Sequence, residues 1–207
     1  MAQFFSIHPD NPQPRLIKQA AELIRQGGVL AVPTDSHYAL VAALDDKHAV
    51  EVIRQLRGID ERQLLALLVP DLSELGKLAR VDNRQYRWLK LAMPGPFTFI
   101  MEATREVPRR LAHPSRKTIG LRVPDHAVLR ALLTETGPLL SSTLTPAGEN
   151  EPLHDPEEIR ERFEKSLAGV IEGVCPGEAT TMIDLTGPEP VLVRQGRGDA
   201  SRLGLIT

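Results

Sequence analysis

The residues best suited to chemistry stand in the run Pro33-Thr34-Asp35-Ser36-His37-Tyr38-Ala39-Leu40, directly after the apolar stretch Val29 to Val32. Asp35, Ser36 and His37 are the residue types of a hydrolytic relay. Neighbours in an extended segment point to opposite sides, however, so the three cannot form that relay with one another. Polar groups at a strand end can instead line the crevice of an α/β sheet. Thr118 and Arg122 have the even spacing that puts both on one face of a strand, and Thr180 and Arg194 stand at the limits of later strand-like runs. Each also has an ordinary reading. Thr34 and Ser36 could brace a turn, Arg122 and Arg194 could be solvated charges, Thr180 a β-branched strand residue, and His37 a surface histidine. Tyr38 suits a core better than a ligand platform.

Several chemistries lack their motifs. The chain has no glycine-rich loop ending in Gly-Lys-Ser/Thr, no His-Glu-x-x-His and no Gly-x-Ser-x-Gly. Cys175 is the single cysteine, which excludes an internal disulfide and a multi-thiolate zinc site and fits a reducing compartment. We expect no bound metal and a cytoplasmic location, because the first residues carry no basic and apolar leader and no run approaches membrane-spanning length.

The elements that must position these groups alternate. Pro14 to Gly28 carries Leu16, Ile17, Ala20, Leu23 and Ile24 at helical spacing and ends on a glycine pair. Val29 to Pro33 reads as a strand covered on both faces. Lys47 to Leu56 reads as a helix and Leu64 to Val69 as a strand. Asp71 with Glu74 forms a capping box, Asp82 caps a helix running through Trp88 to Met93, and Asp125 caps Ala127 to Thr134. Phe97 to Met101 and Thr118 to Val123 read as strands, and Asp155-Pro156 opens a helix reaching Leu167. Thr145 to Asp155 reads as a surface loop. Thr181 to Leu185 and Val191 to Arg194, joined through Gly187-Pro188, suit an antiparallel pair. The expected fold is therefore α/β: a single domain over residues 1–207, with a twisted mixed sheet flanked by helices.

Four ordered segments give this frame a likeness. Pro33 to Leu40 resembles the Pro-Thr-Asp-Thr-x-Tyr-Gly-Leu signature of the YrdC/YciO family. Met93-Pro94-Gly95-Pro96-Phe97-Thr98 resembles its Trp-Pro-Gly-Pro-x-Thr, and Thr118-Ile119-Gly120-Leu121-Arg122-Val123-Pro124 its Thr-x-Gly-x-Arg-x-Pro. Thr180 to Asp184 with Arg194-Gln195-Gly196 resembles its ending. Phe5 to Pro12 and Val107 to Leu111 are similar to the YciO branch.

The resemblance implies a YrdC-like fold and an activity at L-threonylcarbamoyladenylate, which synthase members make from L-threonine, bicarbonate and ATP with Mg²⁺ for tRNA modification. No tightly bound cofactor is implied. By matching position, Ser36, Arg122, Thr180 and Thr143 would bind the substrate, and Arg57, Thr118, Thr145 and Arg194 the nucleotide; no catalytic residue is implied. Synthase members carry Lys-x-Arg and Ser-x-Asn where this chain has Gln55-Leu56-Arg57 and Thr143-Leu144-Thr145. One cation and one amide are thus missing from the nucleotide side, and each buried charge-assisted contact is worth about 1.5–3 kcal/mol. Binding or hydrolysis of the adenylate therefore stands beside synthesis. Arg57 could also be a helix C-terminal charge favoured by the dipole.

The totals limit the alternatives. The chain has 207 residues, 42% hydrophobic and 25% charged, within the range of folded globular proteins. Aromatic residues are 4%, so stacking on several bases has little to draw on. The net charge of -2 gives no general attraction to nucleic acid. A local excess in Arg105, Arg109, Arg110, Arg116, Lys117 and Arg122 could still bind tRNA or double-stranded RNA, partners the resemblance also implies; Arg109, Arg110, Arg116 and Lys117 are its proposed contacts. A charge run is otherwise a solvated face.

Overall fold

The computed structural model describes residues 1–63 and 65–205. In chain order the elements are β1 (Gln3–Phe5), α1 (Pro14–Arg25), β2 (Leu30–Val32), β3 (Ala39–Ala43), α2 (Lys47–Arg57), β4 (Ala66–Leu68), α3 (Leu72–Leu78) and α4 (Asn83–Ala92). There follow β5 (Phe97–Glu102), β6 (Thr118–Arg122), α5 (Ala127–Thr136), β7 (Leu139–Thr143), α6 (Pro156–Phe163), β8 (Gly169–Ile171), β9 (Thr181–Asp184), β10 (Val191–Arg194) and a 3-10 turn, Ala200–Leu203. Leu64, the expected start of β4, lies outside the described residues.

The ten strands form one sheet in the order β1-β8-β2-β3-β7-β4-β6-β5-β9-β10. It is mixed: β1 and β2 run parallel to β8, β4 to β6 and β5 to β9, while the remaining pairs are antiparallel. The expected β9–β10 hairpin is among these.

Strand alternation sends successive side chains to different layers. Ala31, Leu40, Ala42, Leu67, Ile119, Leu121, Phe97 and Phe99 share a core with residues of α2, α3, α4 and α6, including Ile53, Leu75, Leu89 and Ile159. Leu30, Val32, Ala39, Val41, Leu68 and Leu139 share the other with Ile17, Ala20 and Ile24 of α1 and Val128, Leu129, Leu132 and Leu133 of α5. That second core contains no residue of β5, β6, β9 or β10. On the part of the face it leaves, β7, β4 and β6 carry the small or polar Ser141, Thr143, Ala66, Gly120, Thr118 and Arg122, and β5 and β9 continue the face with Thr98, Ile100 and Met182.

Local signals account for most helix ends. Pro14 starts α1, Asp46 accepts the Ala49 amide ahead of α2, and Asp82 with Gln85 makes a reciprocal capping box on α4. Three expectations change. Asp71 accepts the Glu74 amide, but the Glu74 carboxylate pairs with Lys77 instead of reaching back. The cap of α5 is His126, whose ring accepts the Leu129 amide, rather than Asp125, which stands one residue too early. The last helix ends at Phe163 and a turn brings Leu167 into the core. Among the described residues no helix is long and apolar enough to cross a membrane.

Candidate functional site

Register places the floor of the site. Ser141, Ala66 and Gly120 lie in one row across β7, β4 and β6, and Gly120 pairs onward with Ile100. A side chain at Gly120 would meet Thr98 at 3.2 Å and Ala66 at 3.4 Å, so glycine keeps this floor low. Thr118 and Arg122 flank it on the same face, at opposite ends of β6 and roughly 13 Å apart at about 3.3 Å per residue. Arg122 lies in the row of Leu68 and Leu139.

Arg122 is not a solvated edge residue: it is 7% exposed, and its Nη2 donates to Asp35 Oδ1 at 2.6 Å. The other oxygen of Asp35 accepts the Asp125 amide at 3.0 Å, just ahead of α5. One carboxylate thus joins the turn after β2 to both the end of β6 and the segment leading into α5. Burial weakens the hold of Arg122 on its proton and Asp35 opposes that effect, so the pair is an ion pair. Arg122 Nε is buried and has no hydrogen-bond partner among the described residues.

The turn carrying Asp35 is fixed at every residue. Thr34 Oγ1 donates to the His37 carbonyl at 2.7 Å and accepts the Ser36 amide at 3.0 Å. The Thr34 amide donates to Cys175 Sγ at 3.4 Å, and the Ser36 carbonyl accepts the Gly177 amide. Tyr38 is fully buried, with its hydroxyl within 3.0 Å of the Ile171 and Gly173 carbonyls. Thr34 therefore braces the turn and Tyr38 belongs to the core, while the Ser36 hydroxyl makes no hydrogen bond among the described residues. Burial raises the Tyr38 phenol and pushes the Cys175 thiol up to about 11, leaving both protonated near neutrality.

A second cation approaches from β10. Arg194 donates to the Thr180 carbonyl from Nε at 3.2 Å and from Nη2 at 3.0 Å. Thr180 Oγ1 lies 2.8 Å from Thr98 Oγ1. The Arg194 and Arg122 charges act on one another and on His37, whose ring tilts against His154 with centroids 5.5 Å apart. Asp35, His37, Arg122, Thr180 and Arg194 thus make one cationic, hydroxyl-bearing pole, with Ser36 between Asp35 and His37 in the turn.

Arg57 stands at the end of α2. Its Nε donates to Ser142 Oγ at 2.9 Å and its Nη1 to the Thr145 carbonyl at 2.7 Å, which ties the end of α2 to the end of β7. Burial weakens its hold on its proton. Thr143, paired with Ala39, belongs to the same strand end. Gln55, standing for the expected lysine, is exposed. Thr118, at the other end of β6 from Arg122, accepts the His113 amide on its carbonyl.

The cationic stretch divides. Arg105, Arg109, Arg116 and Lys117 are exposed between β5 and β6. Arg110 instead donates to the Leu44 carbonyl at 2.6 Å, and its own carbonyl accepts from buried Arg54. With Arg122 also buried, four of the six charges face solvent.

Sequence reasoning weighed Asp35 only as a member of a relay that it set aside, and it missed Ser142, Thr98 and His154. Asp35 and Thr98 lie inside the quoted motifs, whereas Ser142 and His154 become partners only through contacts distant in the chain.

Comparison with known proteins follows the same outline. The model of the Sua5/YciO/YrdC family, described as telomere recombination, matches residues 22–196. YciO of Escherichia coli strain K12, an uncharacterized protein, is 49% identical over 201 residues, 96% of this chain and 98% of that one. Its crystal structure matches with a TM-score of 0.93 over 98% of this chain and 99% of that one, at 47% identity. The threonylcarbamoyl-AMP synthase of Halorhodospira halophila is 30% identical over 193 residues, 93% of this chain and 96% of that one. The crystal structure of P. abyssi Sua5 complexed with L-threonine matches with a TM-score of 0.84 at 26% identity, over 95% of this chain and 57% of that one.

Proposed function

This chain belongs to the Sua5/YciO/YrdC family, and on that premise we propose that it acts at L-threonylcarbamoyladenylate, in the chemistry that serves tRNA threonylcarbamoyladenosine. The observation that carries the proposal is the buried Arg122, held by Asp35 beside Ser36, Thr180 and Arg194. A guanidinium so oriented can grip a carboxylate with two parallel hydrogen bonds. Ser36 and Thr180 suit the hydroxyl and ammonium of threonine, and Arg194 the phosphate.

Arg57, Thr143 and Thr145 make the nucleotide pole, with Thr118 reached only by an elongated ligand. Two Arg57 donors are engaged within the protein and Gln55 supplies no charge, so the grip on a triphosphate is weaker than that on the amino acid. Mg²⁺ would arrive on phosphate oxygens, as the described residues offer no group of three or more His, Cys, Asp or Glu side chains for it. Handling of the preformed adenylate, by binding or hydrolysis, is accordingly favoured over its synthesis. What the protein contributes is placement and electrostatic stabilisation of ligand groups.

The test is incubation with L-threonine, labelled bicarbonate and Mg-ATP, and separately with the adenylate. We expect adenylate breakdown to exceed a heat-killed control and to disappear in Arg122→Met. Neither formation nor breakdown above that control would remove the proposal.

A second reading, binding of tRNA or double-stranded RNA, draws on the exposed Arg105, Arg109, Arg116 and Lys117. It is compatible with the first.

A further inference from the structure

His37 occupies the position of the turn that the family signature leaves variable, and its surroundings are specific. Its carbonyl is held by Thr34, the residue before it is fixed through its amide and carbonyl, and the residue after it is locked by the Tyr38 hydroxyl. The ring therefore projects from a rigid support.

One ring nitrogen, Nδ1, is buried with no hydrogen-bond partner among the described residues. A buried orphan N–H is rarer than an under-satisfied acceptor, so Nδ1 carries the lone pair and Nε2 carries the proton. A second proton would create a buried, unpartnered N–H beside two arginines. The groups facing the ring are His154 and Glu151 from the loop after β7, Arg122 from β6 and Arg194 from β10. Burial, His154 and both arginines disfavour protonation, and only Glu151 acts the other way. The ring therefore stays neutral near neutral pH and offers Nε2–H as a donor.

We propose that His37 is a ligand-binding residue that donates a hydrogen bond from Nε2, as the neutral imidazole, to an anionic oxygen of the ligand held between Arg122 and Arg194. This rests on the reading of the site as an amino-acid and adenylate pocket. A carboxylate and a phosphate both supply such an oxygen. The neutral donor gives direction to a pocket whose charge already comes from the arginines.

A glutamine amide reproduces the Nε2–H of histidine but cannot titrate, which sets the test. Binding of L-threonine and of AMP is measured by calorimetry at pH 7.5 for the wild type, His37→Ala and His37→Gln. A hydrogen bond to a charged group predicts an affinity loss of about tenfold or more in the alanine variant, with the glutamine variant within about threefold of wild type. Loss for L-threonine alone identifies the carboxylate as the acceptor, and loss for AMP alone the phosphate. Equal losses in both variants, or loss in neither, would overturn the inference while leaving the pocket in place. A wild type that binds neither compound would overturn the reading of the pocket, and the inference with it.

Discussion

A guanidinium as deeply buried as that of Arg122 is tolerated because its charge is met at 2.6 Å by Asp35. Removing one partner of such a pair leaves an uncompensated charge in a low-dielectric site and costs about 3–5 kcal/mol. Asp35→Ala should lower stability by that amount in urea denaturation, since it also strands the Asp125 amide. The double replacement Asp35→Leu with Arg122→Met should recover most of the loss yet bind no L-threonine. Recovery of both would separate the ion pair from ligand binding. The histidines set a pH dependence. His37 and His126 are both held below their ordinary value of 6.5, chiefly by burial. The unfolded chain therefore takes up protons first as pH falls below 6.5, and stability declines from there down to the folded-state values. Melting temperature should drop between about pH 7 and 5, and less so in a variant carrying His37→Gln and His126→Gln. An identical decline in that variant would assign the effect to other groups.

Among the elements, α4 has the clearest terminus. Asp82 accepts the amides of Arg84 and Gln85, and Gln85 both returns a bond to the Asp82 amide and donates to the Leu185 carbonyl beyond β9. Replacing an N-cap aspartate by alanine costs about 0.5–2 kcal/mol. Asp82→Ala should fall in that range by chemical denaturation, with the affinity for L-threonine unchanged, because the helix lies in the layer opposite the site floor. The cap was legible from Asp82, though not its reciprocal bond from Gln85, and so were α1 from its apolar stripe and the β9–β10 hairpin from Gly187-Pro188. Other elements were not. Gln3–Phe5 and Gly169–Ile171 are three residues each, too short to show alternation. Ala39–Ala43 continues the apolar end of the signature, so period alone did not separate it as β3. Asp125 was named in place of His126 because acidic caps are common and imidazole caps are not.

At the scale of the whole molecule, the motifs gave the sheet its family outline, but charge could not be assigned to surface or interior from the chain alone. Arg109 and Arg110 are adjacent, yet the first is exposed and the second spends its guanidinium on the Leu44 carbonyl 66 residues away. Asp35 and Arg122 are 87 residues apart, and no local pattern announces their pairing. RNA affinity, if present, should therefore fall steeply with salt, with Arg109→Ala and Arg116→Ala each reducing the slope of log affinity against log salt by about one. A slope indifferent to both would remove that surface as the contact.

The parallel pairing of β1 with β8 has a consequence for biosynthesis. Among the described residues β1 pairs with β8 alone, about 165 residues downstream, so during synthesis it waits for that partner on the order of ten to thirty seconds at roughly 5–20 residues per second. Closure of that margin of the sheet is thus deferred until β8 has been made, and Phe5 remains open to chaperones until then.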